Sequence, residues 1–224
     1  MKHSTTCKLF LASTLSFLLF ALWTLAISHL DVRPIAPDGS GVGFAALNAA
    51  FQARTGVHMA LYTLTDWLGL VPVGIMAGFA ALGLAEWIRR RSLFRVEASL
   101  LVLGGYYVLV LAAYLIFESL SLNVRPVLID GFAEASYPSS TTLLVLTVIP
   151  TAILQLRRRM PRRAWHALSV ILAVFALFMV GARTAAGVHW LTDIVGGILL
   201  SAGLIALYAA VTGLISHEKT KENL

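Results

Sequence analysis

The chain has 224 residues, of which 58% are apolar and only 12% charged, with a formal net charge of +6. An average soluble domain carries roughly 25% charged residues and keeps much of its surface wet, so this composition excludes a soluble globular fold. The arginines cluster between apolar runs instead of forming the basic stripe of a nucleic-acid binder, and the single cysteine, Cys7, excludes an internal disulfide or a cysteine-built metal site.

Six apolar stretches, about 9–28, 67–88, 98–117, 140–156, 167–183 and 192–215, are long enough or nearly so to cross the bilayer. The requirement is ~30 Å of hydrocarbon at about 1.5 Å per residue. The first stretch is longer than the apolar core of a signal peptide and lacks a clear cleavage site before His29, so a membrane helix is expected there. The fourth is the shortest and contains Pro150, which is tolerated where neighbouring helices cover the freed carbonyl. Basic residues then set the orientation. Lys2 and Lys8, then Arg89, Arg90, Arg91 and Arg95, then Arg157, Arg158, Arg159, Arg162 and Arg163, and finally Lys219 and Lys221 fall on one side. Only Arg33, Arg54, Arg125 and Arg183 fall on the other. The expected fold is therefore all-α: one integral membrane bundle of six transmembrane helices over 1–224, with cytoplasmic tails at 1–8 and 216–224. A plasma or inner membrane is the expected location.

Two segments belong to the external side. Residues 31–66 are glycine-rich and polar at first and amphipathic from Phe44 to Trp67, a pattern suited to lying on the membrane surface or capping the bundle. Residues 118–139 link the third and fourth helices.

Ionisable groups at membrane depth or at its interface are costly, so they are the candidates for chemistry. Arg125 lies in Asn123-Val124-Arg125-Pro126, and Arg183 closes the fifth helix. His189 follows, and Asp193 begins the sixth. Residues four apart share a helix face, so Asp193 can accept a hydrogen bond from one ring nitrogen of His189 and leave the other as base or nucleophile. Two guanidinium groups nearby can grip phosphate oxygens. In Tyr137-Pro138-Ser139-Ser140-Thr141-Thr142, Pro138 and Ser139 suit a helix start, and a helix N-terminus offers free amides to an anion. Each feature alone also reads as an ordinary structural hydrogen bond or cap. Their common placement at external helix ends favours a functional site.

These residues resemble the signature of the type 2 phosphatidic acid phosphatase (PAP2) family, which shares its core with vanadium haloperoxidases. The signature runs Lys-x6-Arg-Pro, Pro-Ser-Gly-His and Ser-Arg-x5-His-x3-Asp, and its parts fall here at 118–126, 138–141 and 182–193. The resemblance spans about 55–215. It implies a six-helix enzyme that removes phosphate from lipid phosphates or diphosphates at the external or periplasmic face, through a phosphohistidine and with no metal or cofactor. By position it makes His189 the nucleophile and Asp193 its orienting carboxylate, with Arg125, Arg183, Ser139 and the amide of Ser140 binding phosphate. The departures are Glu118 for the lysine, Ser140 for the glycine, Thr141 for the histidine that protonates the leaving group, and Ala182 for the serine. Glu118 could pair with Arg125 or Arg54, or meet an amine on a headgroup, and His58 is a candidate substitute acid. A leaving group of low pKa needs less protonation, so polyprenyl diphosphates are the expected substrates ahead of phosphatidic acid. Two further readings stay open: an impaired family member that binds or moves anionic lipid, and an unrelated channel or transporter. Beyond substrate, the expected partners are membrane lipids and no nucleic acid.

Overall fold

The computed structural model describes the backbone of residues 2–222 and the side chains of residues 4–215. The side chains of Lys2, Lys219 and Lys221, used above to orient the chain, lie outside the described residues. The elements are α1 (Lys2–His29), α2 (Ala45–Thr55), α3 (Met59–Leu68), α4 (Leu70–Arg90), α5 (Ala98–Leu120), α6 (Ser140–Leu156), α7 (Arg162–Ala185) and α8 (Leu191–Glu222). Among the described residues there are isolated β-bridges and no strand.

Each of the six expected spans corresponds to one helix, and the protein is a multi-pass membrane protein. Among the described residues five spans are long and apolar enough to cross a bilayer, the α3–α4 pair counting as one from Met59 to Arg90. The sixth, α6, has 17 residues, about 25 Å of helix. Short as it is, α6 is the most enclosed helix: Leu143, Val145, Val148, Ile149 and Ala152 are all at most 1% exposed. It packs against α4, α5, α7 and α8, so lipid need not cover its flanks. Thr147 and Thr151, on either side of Pro150, return their hydroxyls to carbonyls of the preceding turn, which satisfies buried polar groups within the helix. By contrast Leu177, Val108 and Leu22 are exposed side chains on lipid-length helices, as expected of a surface that faces hydrocarbon.

Helices α1 and α8 run antiparallel along their length: Ser13 Oγ donates to the Gly203 carbonyl and Trp23 Nε1 to that of Thr192. The start of α1 and the end of α8 therefore lie at one end of the bundle, with Arg157 and Arg158. The other end is closed by residues 30–68 and 121–139. Gly187 (φ +68°) lets the turn between α7 and α8 meet the α2–α3 connection so closely that a Cβ would lie 1.9 Å from the Gly56 carbonyl oxygen. Gln52 donates to the Gly187 carbonyl and the amide of His58 to that of Ala186. The segment expected to lie on the membrane or cap the bundle thus forms a cap.

Candidate anion site at the capped end

The 121–139 connection folds back on itself. Val124 and Ala135 form an antiparallel bridge, flanked by bonds from the Arg125 amide to the Glu134 carbonyl and from the Ser136 amide to that of Asn123. With side chains alternating along extended backbone, Asn123 and Arg125 share one side, as do Glu134 and Ser136. Asn123 and Ser136 reach the start of α8, while Arg125 and Glu134 pair at the rim.

Asp193 occupies the third position of α8 and caps the helix by accepting from the Trp190 amide at 3.0 Å, the carboxylate half of a capping box. It is fully buried, yet three donors surround it: that amide, Asn123 Nδ2 at 2.9 Å and the Ser136 hydroxyl at 2.5 Å. The expected direct bond to His189 is not formed. Nδ1 lies 4.0 Å from Oδ2, and Ser136 stands between them. Nδ1 approaches Ser136 Oγ at 3.0 Å and the Ser136 carbonyl at 3.2 Å. A carbonyl only accepts, and the hydroxyl proton is committed to Asp193, so Nδ1 carries the proton and Nε2 is bare. Burial foremost, and then the charges of Arg125 and Arg183, hold the His189 pKa well below the ordinary 6.5, so the ring is neutral.

The two arginines converge on Tyr62 of α3. The Arg183 guanidinium carbon lies 4.7 Å from the ring centroid and that of Arg125 lies 5.9 Å from it. Arg183, 1% exposed, donates to the Thr65 hydroxyl at 3.2 Å and stands 3.9 Å from Asp66. Arg125, 8% exposed, has Glu134 at 3.1 Å from Nε. That approach lies off the N–H direction, so it is an ion pair and leaves the Nε donor without a hydrogen-bond partner. Two cations on one ring repel, and buried donors without acceptors are costly. Yet Arg125 Nε and Nη1, Arg183 Nε and His189 Nε2 are all buried without partners. One anion beside the two arginines would satisfy the three guanidinium donors, while the bare Nε2 of His189 keeps a free lone pair.

Ser139 is the N-terminal cap residue of α6, but its hydroxyl makes no cap; it accepts from Thr142 while its amide donates to the Asp193 carbonyl. Gly197 permits this contact, since a Cβ there would press on Thr142 and on the Ser139 carbonyl. Ser140 and Thr141, half-buried in the first turn of α6, make no hydrogen bond through amide or hydroxyl with the described residues, which leaves that helix start open. Glu118 does not form the suggested ion pair with Arg125 or Arg54: among the described residues the carboxylate against Arg125 is Glu134, and Glu118 lies exposed within electrostatic reach of both. His58 is exposed and its Nε2 is bonded to the Thr55 carbonyl, a local turn contact. Ser136, Asn123, Glu134, Tyr62, Thr65 and Asp66 complete the site without any signal in the sequence pattern. Two cavities, of about 520 and 650 Å³, lie elsewhere: one beside Glu97, Gln155 and Arg158 at the far end, the other apolar between α4 and α5.

Fold and site define a helical multi-pass membrane protein in which two buried guanidinium groups and a bare imidazole nitrogen form a candidate anion site. Residues 119–215, somewhat less than half of the chain, match the PAP2 superfamily. The chain is also similar to a crystal structure described as the first transmembrane PAP2 type phosphatidylglycerolphosphate phosphatase from Bacillus subtilis. They share 22% identity at a TM-score of 0.56, over 91% of this chain and 97% of that one, a likeness of fold. No curated protein matches the sequence.

Proposed function

We propose that the protein is a membrane phosphohydrolase that cleaves lipid phosphates or diphosphates through a phosphohistidine at His189. One observation carries the reading: three buried guanidinium donors of Arg125 and Arg183 lack partners beside the Tyr62 ring, within electrostatic reach of the bare His189 Nε2, where a phosphate would be held and attacked. The match of residues 119–215 to the PAP2 superfamily and the lipid phosphate named for the structural neighbour support it. The arginine-rich end would face the cytoplasm and the site the external or periplasmic side.

In the first step the lone pair of His189 Nε2 forms a bond to phosphorus as the bond to the leaving oxygen breaks. Ser136 and Asp193 hold Nδ1–H as positive charge develops on the ring. Arg125, Arg183 and the open amides of Ser140 and Thr141 stabilise the charge on the equatorial oxygens. In the second step water attacks the phosphoryl group, the P–N bond breaks, inorganic phosphate leaves and Nε2 recovers its lone pair. No metal enters either step. With Thr141 at the position of the family's acid, the departing oxygen lacks a side-chain proton donor there. Diphosphates, whose leaving phosphate needs little protonation, are therefore the preferred substrates. Phosphate release over a panel of lipid phosphates and diphosphates tests this, with His189→Ala as control. Activity that survives the substitution would contradict the mechanism, and faster release from monoesters would contradict the preference.

The Arg125–Glu134 ion pair favours a second reading, a site that binds anionic lipid without turnover, because the phosphate must compete with a carboxylate already in place. Phosphate release abolished by His189→Ala decides against it.

A further inference from the structure

The charge balance of the site is unusual for one that takes a phosphate. Arg183 has Asp66 at 3.9 Å and Arg125 has Glu134 at 3.1 Å. Glu118, one turn beyond Tyr114 on α5, lies within electrostatic reach of Arg125 and Glu134. Three carboxylates thus face two guanidinium groups, and the buried Asp193 lies within electrostatic reach of Arg125 as a fourth. A phosphate dianion without other charge would add to an excess of negative charge, and Coulomb repulsion would weaken its binding. The arginines themselves ask for an anion: Arg125, 8% exposed, and Arg183, 1% exposed, carry unpartnered guanidinium nitrogens beside the Tyr62 ring.

We propose that Glu118 and Glu134 form an ammonium subsite beside the phosphate position, so that among substrates with the same leaving group one carrying a primary amine a few bonds from its phosphate is favoured. The inference rests on the reading of Arg125 and Arg183 as the phosphate-binding pair. On binding, the phosphate replaces Glu134 as the partner of Arg125, and the freed carboxylate turns to the ammonium. Glu118 supplies the second acceptor at the exposed rim of α5. The ammonium then offsets part of the excess negative charge, which a lipid phosphate lacking the amine cannot do.

A matched pair of soluble probes isolates the subsite: 2-aminoethyl phosphate and ethyl phosphate, titrated calorimetrically into the detergent-solubilised His189→Ala protein at about pH 8, where both phosphates are dianions. The amine-bearing probe is expected to bind roughly two- to fivefold tighter, the range for exposed ion pairs. Glu118→Gln and Glu134→Gln, which remove charge at nearly constant volume, should each bring the ratio toward one. In parallel, phosphate release by the wild-type protein is measured on a sphingoid-base phosphate and on phosphatidic acid. Equal affinity for the two probes, or a preference unchanged in both glutamine variants, overturns the subsite even when both lipids are hydrolysed. Preferential binding without hydrolysis of any lipid overturns the enzymatic reading and leaves the subsite standing. Failure to bind either probe overturns both.

Discussion

Ser136 joins two groups that helical spacing alone would place in direct contact, His189 and Asp193. Ser136→Ala deletes one hydroxyl, which accepts from Nδ1 at 3.0 Å and donates to a buried carboxylate. A hydrogen bond to a charged group contributes about 1.5–3 kcal/mol. Asp193 keeps Asn123 Nδ2 and the Trp190 amide, and Nδ1 keeps the Ser136 carbonyl at 3.2 Å, so the ring holds its tautomer but loses its link to the negative charge. That link matters most when the ring becomes positive, in the transition state. The expected result is a fall of about 10- to 100-fold in kcat with little change in KM, since phosphate binding by Arg125 and Arg183 does not involve Ser136. The assay is phosphate release by purified Ser136→Ala, Asp193→Ala and the double variant. Because the carboxylate acts through the hydroxyl, the double variant should be no slower than Asp193→Ala alone. Additive losses, or a Ser136→Ala protein with wild-type kcat, would refute the relay.

Three further outcomes are expected. The His189 imidazole should stay neutral at pH 6.5 and take up a proton only well below it, because burial and then Arg125 and Arg183 disfavour its charged form. ¹⁵N NMR of histidine-labelled protein, with His189→Ala to assign the signal, checks this, and a midpoint at or above 6.5 would contradict it. Thr141→His should raise turnover of phosphate monoesters by as much as ~10²-fold, at the lower end of what a general acid supplies, and turnover of diphosphates much less. An equal gain on both would remove the leaving-group argument. Gly187→Ala should lower the thermal midpoint by about 4–8 °C, from a left-handed φ and a clash with the Gly56 carbonyl together costing at least ~2 kcal/mol. Gly39 is also at positive φ, but a Cβ there would meet nothing within 4 Å, so its alanine variant is the control that should lose less.

The membrane architecture is legible in the sequence because lipid imposes a length and a composition on each span. For α6 the expected bounds, 140–156, are those of the helix Ser140–Leu156. For α7 the expected span begins at 167, later than the helix itself, since Arg162 and Arg163 open the helix without being apolar. The break at His58 between α2 and α3 is hidden within an amphipathic run. In the site, Arg125, Arg183, His189 and Asp193 are legible because charge beside lipid is expensive wherever it occurs. Ser136 is not: a loop serine is commonplace, and its importance comes from contacts 53 and 57 positions away. Tyr62 and Thr65 give no signal for the same reason, because they reach Arg183 across about 120 positions of chain. Glu134 sits in a short connection whose pairing is not written in its residue types, and only a fold that returns Ala135 to Val124 sets it against Arg125.

The most direct measurement is to trap the phosphoryl group on the protein. Wild-type enzyme is mixed with ³²P-labelled lipid substrate, quenched in base within one turnover, and digested for mass spectrometry. A base-stable, acid-labile phosphate on the peptide containing His189, absent from His189→Ala, is the predicted result. Phosphate released at full rate with no label on that histidine would contradict the account.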